Sequence, residues 1–249
     1  MGGEYIMNKN LSLSVIIPAY KEAENLKILL PELINTLKDN ECIFEIVIVD
    51  TESAMDETEM VCKQYDHVCC INRIGGNFYG DAIRTGIKNA KNDKILIMDA
   101  DGSHSPGYIN EMLEKANEFD LVIGSRYTKG GKTDNPQILI FMSWVVNVIF
   151  RLVLKTKIRD ISNSFRIYDT AQLKSIDLEC SNFDIVEEIL MKLFTRYPKM
   201  KYIEIPICFQ KRLYGESKRN LFLFACSYLH TLYKIKRFAV SSTKNKSEN

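Results

Sequence analysis

Asp99 and Asp101, separated only by Ala100, follow four apolar residues, Ile95 to Met98. Such a run predicts a strand buried on both faces. Alternate residues of an extended backbone point the same way, so the two carboxylates share one side. At that spacing they repel unless a cation lies between them. Mg²⁺ or Mn²⁺ takes one or two carboxylates and completes its shell with substrate phosphates and water. The chemistry implied is therefore a metal-bound diphosphate, with helix capping by Asp101 as the alternative. Ser105-Pro106 just beyond is a helix start, with Ser as N-cap and Pro at the first helical position. His104 between them is read as a turn hydrogen-bonding residue rather than a further ligand.

The flanking pattern alternates strand and helix. LSLSVIIPAY is a strand ending at Pro18, and residues 22–38 carry Leu26, Leu29, Leu30, Leu33 and Leu37 at helical spacing. FEIVIVD (44–50), HVCCINR, KILIMDAD and FDLVIGSRY read as further strands, with helices to about Tyr65 and over GDAIRTGIKNAKN. This alternation implies βαβ units and a mostly parallel sheet, whose ligands bind at the carboxyl ends of the strands. Two apolar helices follow. In residues 138–154, expected to be core, Ser143, Asn147, Arg151 and Lys155 fall four apart in a thin polar stripe. Residues 221–238 end in Lys234, Lys236 and Arg237, a cationic end suited to an anionic membrane surface.

Composition narrows the class. A chain of 249 residues with 46% hydrophobic and 26% charged residues is ordinary for a globular protein, and its net charge of +1 argues against a nucleic-acid partner. The 7 cysteines form no CxxC pair, so neither a zinc cage nor a disulfide framework is expected. Reduced thiols and a cytoplasmic location, peripheral on the cytoplasmic membrane face, follow from this reading. No signal peptide or spanning run is evident. GSRYTKGGKT lacks the first glycine of a P-loop, because Arg126 stands there, and GGNFYG lacks dinucleotide-binding spacing.

IIPAYKEAENL, IVIVD, GDAIRTGI, DADGSHSP, VIGSRY, SNSFR and RLYGESK occur in the order seen in family-two glycosyltransferases. From about residue 12 to 220 the chain resembles their dolichyl- or polyprenyl-phosphate mannosyltransferase branch. The resemblance implies a GT-A fold, an α/β nucleotide-binding sandwich with a mostly parallel central sheet. It implies one such domain over residues 8–220; the residues beyond it are expected to form an apolar and basic segment over 221–240, suited to membrane-surface contact, and a disordered tail over 241–249. The implied activity is metal-dependent transfer, with inversion, of a mannose-like hexose from a nucleotide-diphosphate sugar to a polyprenyl or dolichyl phosphate. Pro18, Tyr20, Glu22, Val49, Asp50 and Ala100 would line the nucleotide-sugar site. Asp99 and Asp101 would hold Mg²⁺ or Mn²⁺, and Arg126, Arg212 and Lys218 would bind donor or acceptor phosphate. Arg84 is either paired within the fold or a ligand contact.

The chain also departs from the branch. Asp50-Thr51 stands where many relatives have Asp-Asp, Asn163-Ser164-Phe165-Arg166 where they have Ser-Gly-Phe-Arg, and Ser105-Pro106 where they have Pro-Pro. A phosphate acceptor is already anionic and needs no strong general base, whereas a sugar hydroxyl needs one. For a glycan or polysaccharide acceptor, Asp184, Glu187 and Glu188 are the candidate bases, against a reading as solvated helix charges. A nucleotidyltransferase, which also uses paired aspartates and a metal, is the alternative of another class.

Overall fold

Apolar strands and one-faced helices stack into three layers in the computed structural model, which describes residues 11–154 and 156–214. The first half comprises β1 (Ser12–Pro18), α1 (Ala23–Asp39), β2 (Ile43–Asp50), α2 (Thr58–Cys62), β3 (Val68–Asn72), α3 (Tyr79–Asn89) and β4 (Lys94–Ile97). A 3-10 turn (Pro106–Tyr108), α4 (Ile109–Ala116), β5 (Leu121–Ser125), β6 (Lys132–Thr133) and α5 (Gln137–Leu154) follow. Then come β7 (Arg166–Asp169), α6 (Thr170–Lys174), α7 (Ile185–Arg196), β8 (Tyr202–Pro206) and β9 (Cys208–Phe209). Lys218 and the expected segments over 221–240 and 241–249 lie outside the described residues.

Seven strands form the central sheet in the order β3-β2-β1-β4-β7-β5-β8. Their period-two alternation divides the core. Leu13, Val15, Ile17, Ile46 and Ile48 pack with the leucines of α1, while Ile16, Val47, Val49, Ile95 and Ile97 pack with Ile83, Ile189 and Leu190 on the other face. The expected helix to Tyr65 is shorter, because residues 51–57 turn before α2 begins. The strand expected to run through Asp101 ends at Ile97, which leaves both aspartates in the loop beyond it.

The sheet is parallel except at β7, which runs antiparallel between β4 and β5. This strand was not anticipated from the sequence, since only four residues carry it. Its reversal has a functional consequence. Arg166 at its start pairs with both Ile97 and Ile123. The loop before β7 is thereby brought to the edge where β1, β2, β4 and β5 end.

Helix α5 corrects an expectation. Ile138, Phe141, Trp144 and Leu152 are 59%, 60%, 54% and 74% exposed, so the helix is not simply core. The first two residues of its polar stripe face inward instead: Asn147 is buried, and the Ser143 hydroxyl lies 3.0 Å from that of Ser162, whereas Arg151 is exposed.

Gly80, in the first turn of α3, donates its N–H to the Ser181 carbonyl at 2.6 Å. A Cβ there would lie 2.2 Å from the Cys180 carbonyl oxygen, which is backbone and cannot swing aside. Gly80→Ala is therefore expected to lower unfolding stability by about 1–3 kcal/mol. Denaturant unfolding against the wild type checks this.

Candidate active site

Pairing of Pro18 with Val49 and of Ile16 with Ile97 sets the ends of β1, β2 and β4 side by side. Pro18, Val49 and Ala100 are buried at this edge, and Tyr20 and Glu22 rise from the β1–α1 turn. Lys21 between them has a φ of 58°, a left-handed conformation uncommon for a residue with a side chain. Asp50 is buried, and burial raises its pKa despite the Thr51 N–H donated to its carboxylate. Thr51 is turned inward, its hydroxyl donating to the Ser53 carbonyl at 2.7 Å.

The two aspartates are each held by several donors. Asp99 Oδ1 accepts from the Ser164 hydroxyl at 3.1 Å and from the Tyr79 hydroxyl at 3.4 Å. Its backbone N–H donates to His104 Nδ1 at 3.0 Å. That bond requires the tautomer with the proton on Nε2, which lies 2.9 Å from Asn163 Oδ1. Asn163 in turn donates to the Gly124 carbonyl at 2.7 Å. His104 thus has the turn role expected of it, and its ring stacks on Phe165.

Asp101 accepts from the Ser103 N–H at 3.1 Å and from Arg212 Nη2 at 2.9 Å. Burial opposes its ionisation, but the hydrogen bonding by Ser103, with His104 and Arg212 nearby, outweighs this and holds its pKa below the ordinary range. Residues 210–214 deliver Arg212 by lying across the loop. The Gln210 N–H donates to the Ser103 carbonyl, the Leu213 N–H to the Asp101 carbonyl at 2.9 Å, and the Tyr214 N–H to Asn25 Oδ1. Gly102 has a φ of 81°, and a Cβ there would lie 2.8 Å from Leu213, so both the turn and the close approach require glycine.

Glu22 completes the negative edge. Burial, and then the proximity of Asp101 and Asp99, raise its pKa, with the Asn25 hydrogen bond and the charge of Arg212 acting in opposition. Among the described residues no group of three or more His, Cys, Asp or Glu side chains forms a metal cage. A hard cation that takes most of its ligands from phosphate and water needs no cage. Two hard carboxylates, with that of Glu22 nearby, therefore fit Mg²⁺ or Mn²⁺.

Other expected site residues are engaged elsewhere. Arg126 makes a bidentate pair with Asp160, at 2.8 Å from Nε and 2.7 Å from Nη2, and also reaches Ser143 and Ser162. The phosphate-binding role expected of it finds no support in this geometry. Arg84 pairs with Asp81 and the Cys180 carbonyl, which is the structural alternative. Glu187 and Glu188 are buried rather than solvated. Glu188 accepts the N–H groups of Glu179 and Cys180 and pairs with Lys192 at 2.9 Å, which commits it to the fold. Asp184 is buried at the start of α7 and accepts the Asn182 N–H. Phe183, which precedes it, stacks on Tyr79 and so borders the site.

Sequence reasoning missed three contributors. Tyr79 had no signal, because GGNFYG offered no motif. Ser164 was visible only as part of SNSFR. Arg73, buried after β3, spans the Ala19, Asn77 and Phe78 carbonyls beside Asp50, and only the tertiary fold shows it there.

The sequence model described as Glycosyl transferase family 2 matches residues 14–176. The chain belongs to that family. It is 33% identical over 237 residues to the dolichol-phosphate mannosyltransferase of Pyrococcus furiosus, covering 92% of this chain and 64% of that relative. The chain thus spans under two thirds of that protein's length. It is 31% identical over 219 residues to the undecaprenyl-phosphate mannosyltransferase of Micrococcus luteus, covering 82% of this chain and 86% of the relative. Among solved structures it resembles glucosyl-3-phosphoglycerate synthase from Mycobacterium tuberculosis in complex with Mg²⁺ and UDP. That match has a TM-score of 0.69 at 14% identity and covers 90% of this chain and 79% of the other. At that identity the likeness concerns the fold, the GT-A α/β sandwich. The family 2 match ends at residue 176, so the Arg212 strap lies beyond it.

The raised pKa of Glu22 has a signed consequence for this family 2 chain. The folded state binds this proton more tightly than the unfolded chain. The stability it contributes is present below the ordinary glutamate range and is lost as pH rises through the raised value. Glu22→Gln is expected to melt higher than the wild type at pH 7, with the difference vanishing near pH 4. Thermal unfolding at the two pH values tests the sign.

Proposed function

We propose that the chain transfers a mannose-like hexose from a nucleotide-diphosphate sugar to a polyprenyl or dolichyl phosphate, with inversion and with Mg²⁺ or Mn²⁺. The observation that carries the reading is the convergence of Asp99, Asp101 and Arg212 at the carboxyl edge of the sheet. The two relatives named above are mannosyltransferases whose names specify lipid phosphates, and the UDP complex supports a nucleotide donor.

Sugar transfer passes through an oxocarbenium-like state while negative charge builds on the leaving diphosphate. A cation bound by Asp99 and Asp101 would stabilise that charge as a Lewis acid. Arg212, already beside Asp101, is placed to bind a diphosphate oxygen. Tyr79 and Ser164 hold the Asp99 carboxylate in orientation, and the neutral His104 fixes its backbone. Glu188 is committed to backbone donors and Lys192, which removes one of the three candidate bases, and an acceptor phosphate needs no strong base.

Membrane-surface contact belongs to the same reading. Among the described residues no helix is long and apolar enough to cross a membrane. The exposed apolar side of α5 supports a surface contact instead. Trp144 is the chain's 1 tryptophan and lies on that side, so anionic liposomes are expected to shift its emission to the blue. Unchanged emission together with no co-sedimentation would refute the contact.

Incubating the full chain with labelled nucleotide-sugar, Mn²⁺ and polyprenyl phosphate should yield glycosylated lipid and a nucleoside diphosphate. Asp101→Ala should lower kcat at least about a hundredfold. Release of pyrophosphate would point to nucleotidyl transfer, and product formed only on glycans would point to a hydroxyl acceptor.

A further inference from the structure

The loop over residues 156–165 has no helix or strand of its own, yet its last residues reach the metal-site aspartate. The middle of its backbone, residues 159–162, is held by side chains from other elements. The Glu204 carboxylate of β8 accepts the Arg159 and Asp160 N–H groups, both at 3.0 Å. The Arg166 guanidinium of β7 donates to the Asp160 and Ile161 carbonyls. Asn147 of α5 supplies the next hold: its Oδ1 accepts the N–H of Ile161 at 2.9 Å and that of Ser162 at 3.2 Å. Directly after it come Asn163, paired with His104, and Ser164, on the Asp99 carboxylate.

Asn147 is only 3% exposed, and its Nδ2 has no partner among the described residues. A buried unpaired amide costs about 1–3 kcal/mol and calls for a compensating role. The side chain is therefore present for its oxygen, which anchors the last two loop amides before the site.

We infer that Asn147 is a positioning residue for Asp99, acting from α5 through the Ile161–Ser164 backbone to place the Ser164 hydroxyl on the carboxylate. The inference rests on the reading of Asp99 as a metal-diphosphate ligand. Leucine matches asparagine closely in size but cannot accept a hydrogen bond, so Asn147→Leu releases two buried amides and lets Ser164 drift. Aspartate keeps the acceptor oxygen, and the second oxygen replaces an amide that has no partner.

Mn²⁺ binding to the full chain in the presence of UDP or GDP, followed by electron paramagnetic resonance, provides the test, with Tm measured alongside. N147L is expected to weaken Mn²⁺ binding about tenfold, the usual size for the loss of a group that orients a metal ligand. Asn147→Asp should recover the Mn²⁺ affinity to within about threefold of wild type whatever its Tm. Ser164→Ala should weaken Mn²⁺ binding similarly, and adding N147L to it should cost little more, because both act through one contact. If N147L does not fold, Asn147→Ser, which draws the polar atom back by one bond, is read by the same criteria. A wild type that binds no Mn²⁺ would overturn the metal reading and this inference with it. A wild type that binds Mn²⁺ beside a folded N147L of equal affinity, with only Tm lowered, would leave Asn147 a purely structural residue and overturn this inference alone. Full additivity of N147L and S164A would overturn it as well.

Discussion

Asp99 and Asp101 place two negative charges at the end of an apolar strand, where a low dielectric makes their repulsion costly. The surrounding structure answers that repulsion with donors drawn from distant parts of the chain. Tyr79 comes from α3, Ser164 from the loop before β7, and Arg212 from the strap after β9. Each lies on a different element, so the edge of the sheet becomes the meeting point of the whole fold. The neutral hydroxyls of Tyr79 and Ser164 orient Asp99 without quenching its charge, whereas Arg212 offsets the charge of Asp101 directly.

The reversed strand β7 is the means by which part of this assembly is delivered. A parallel strand in its place would bring its end, rather than its start, to the site edge. Because β7 runs antiparallel, Arg166 lies beside Ile97 and Ile123, and residues 160–165 lie over the strand ends. Buried Arg166 then ties the loop carbonyls to the Val186 carbonyl of α7 at 3.1 Å. The same arginine therefore serves sheet, loop and helix at once.

Helix α5 buries Phe150 but turns Ile138, Phe141, Trp144 and Leu152 outward, while Ser143 and Asn147 of its polar stripe face inward. The inward stripe has a defined task, since Ser143 and Asn147 meet the loop and Arg126. An outward apolar face is unfavourable in water, and contact with a lipid surface would relieve that cost. On the proposed reading, one helix would join the surface where a lipid phosphate arrives to the loop beside Asp99.

Periodicity in the sequence determined the alternating strands and helices, the parallel part of the sheet, and the aspartate pair at a strand end. These are local properties: strand burial, helix spacing and the Ser105-Pro106 start are all written in adjacent residues. The ordered motifs carried the family. Side-chain partners separated by many residues were decided only by the tertiary structure. Arg126, expected to bind phosphate, proves to face Asp160, and Glu188, a candidate base or a solvated helix charge by sequence, is enclosed by the Glu179 and Cys180 amides. The stripe Ser143–Asn147 was legible as a stripe, but whether it faced water or protein was not. That depends on what packs against the helix, and spacing along one element says nothing of its neighbours. The four-residue strand β7 was too short to show a period, so its direction emerged only from hydrogen bonding to β4 and β5.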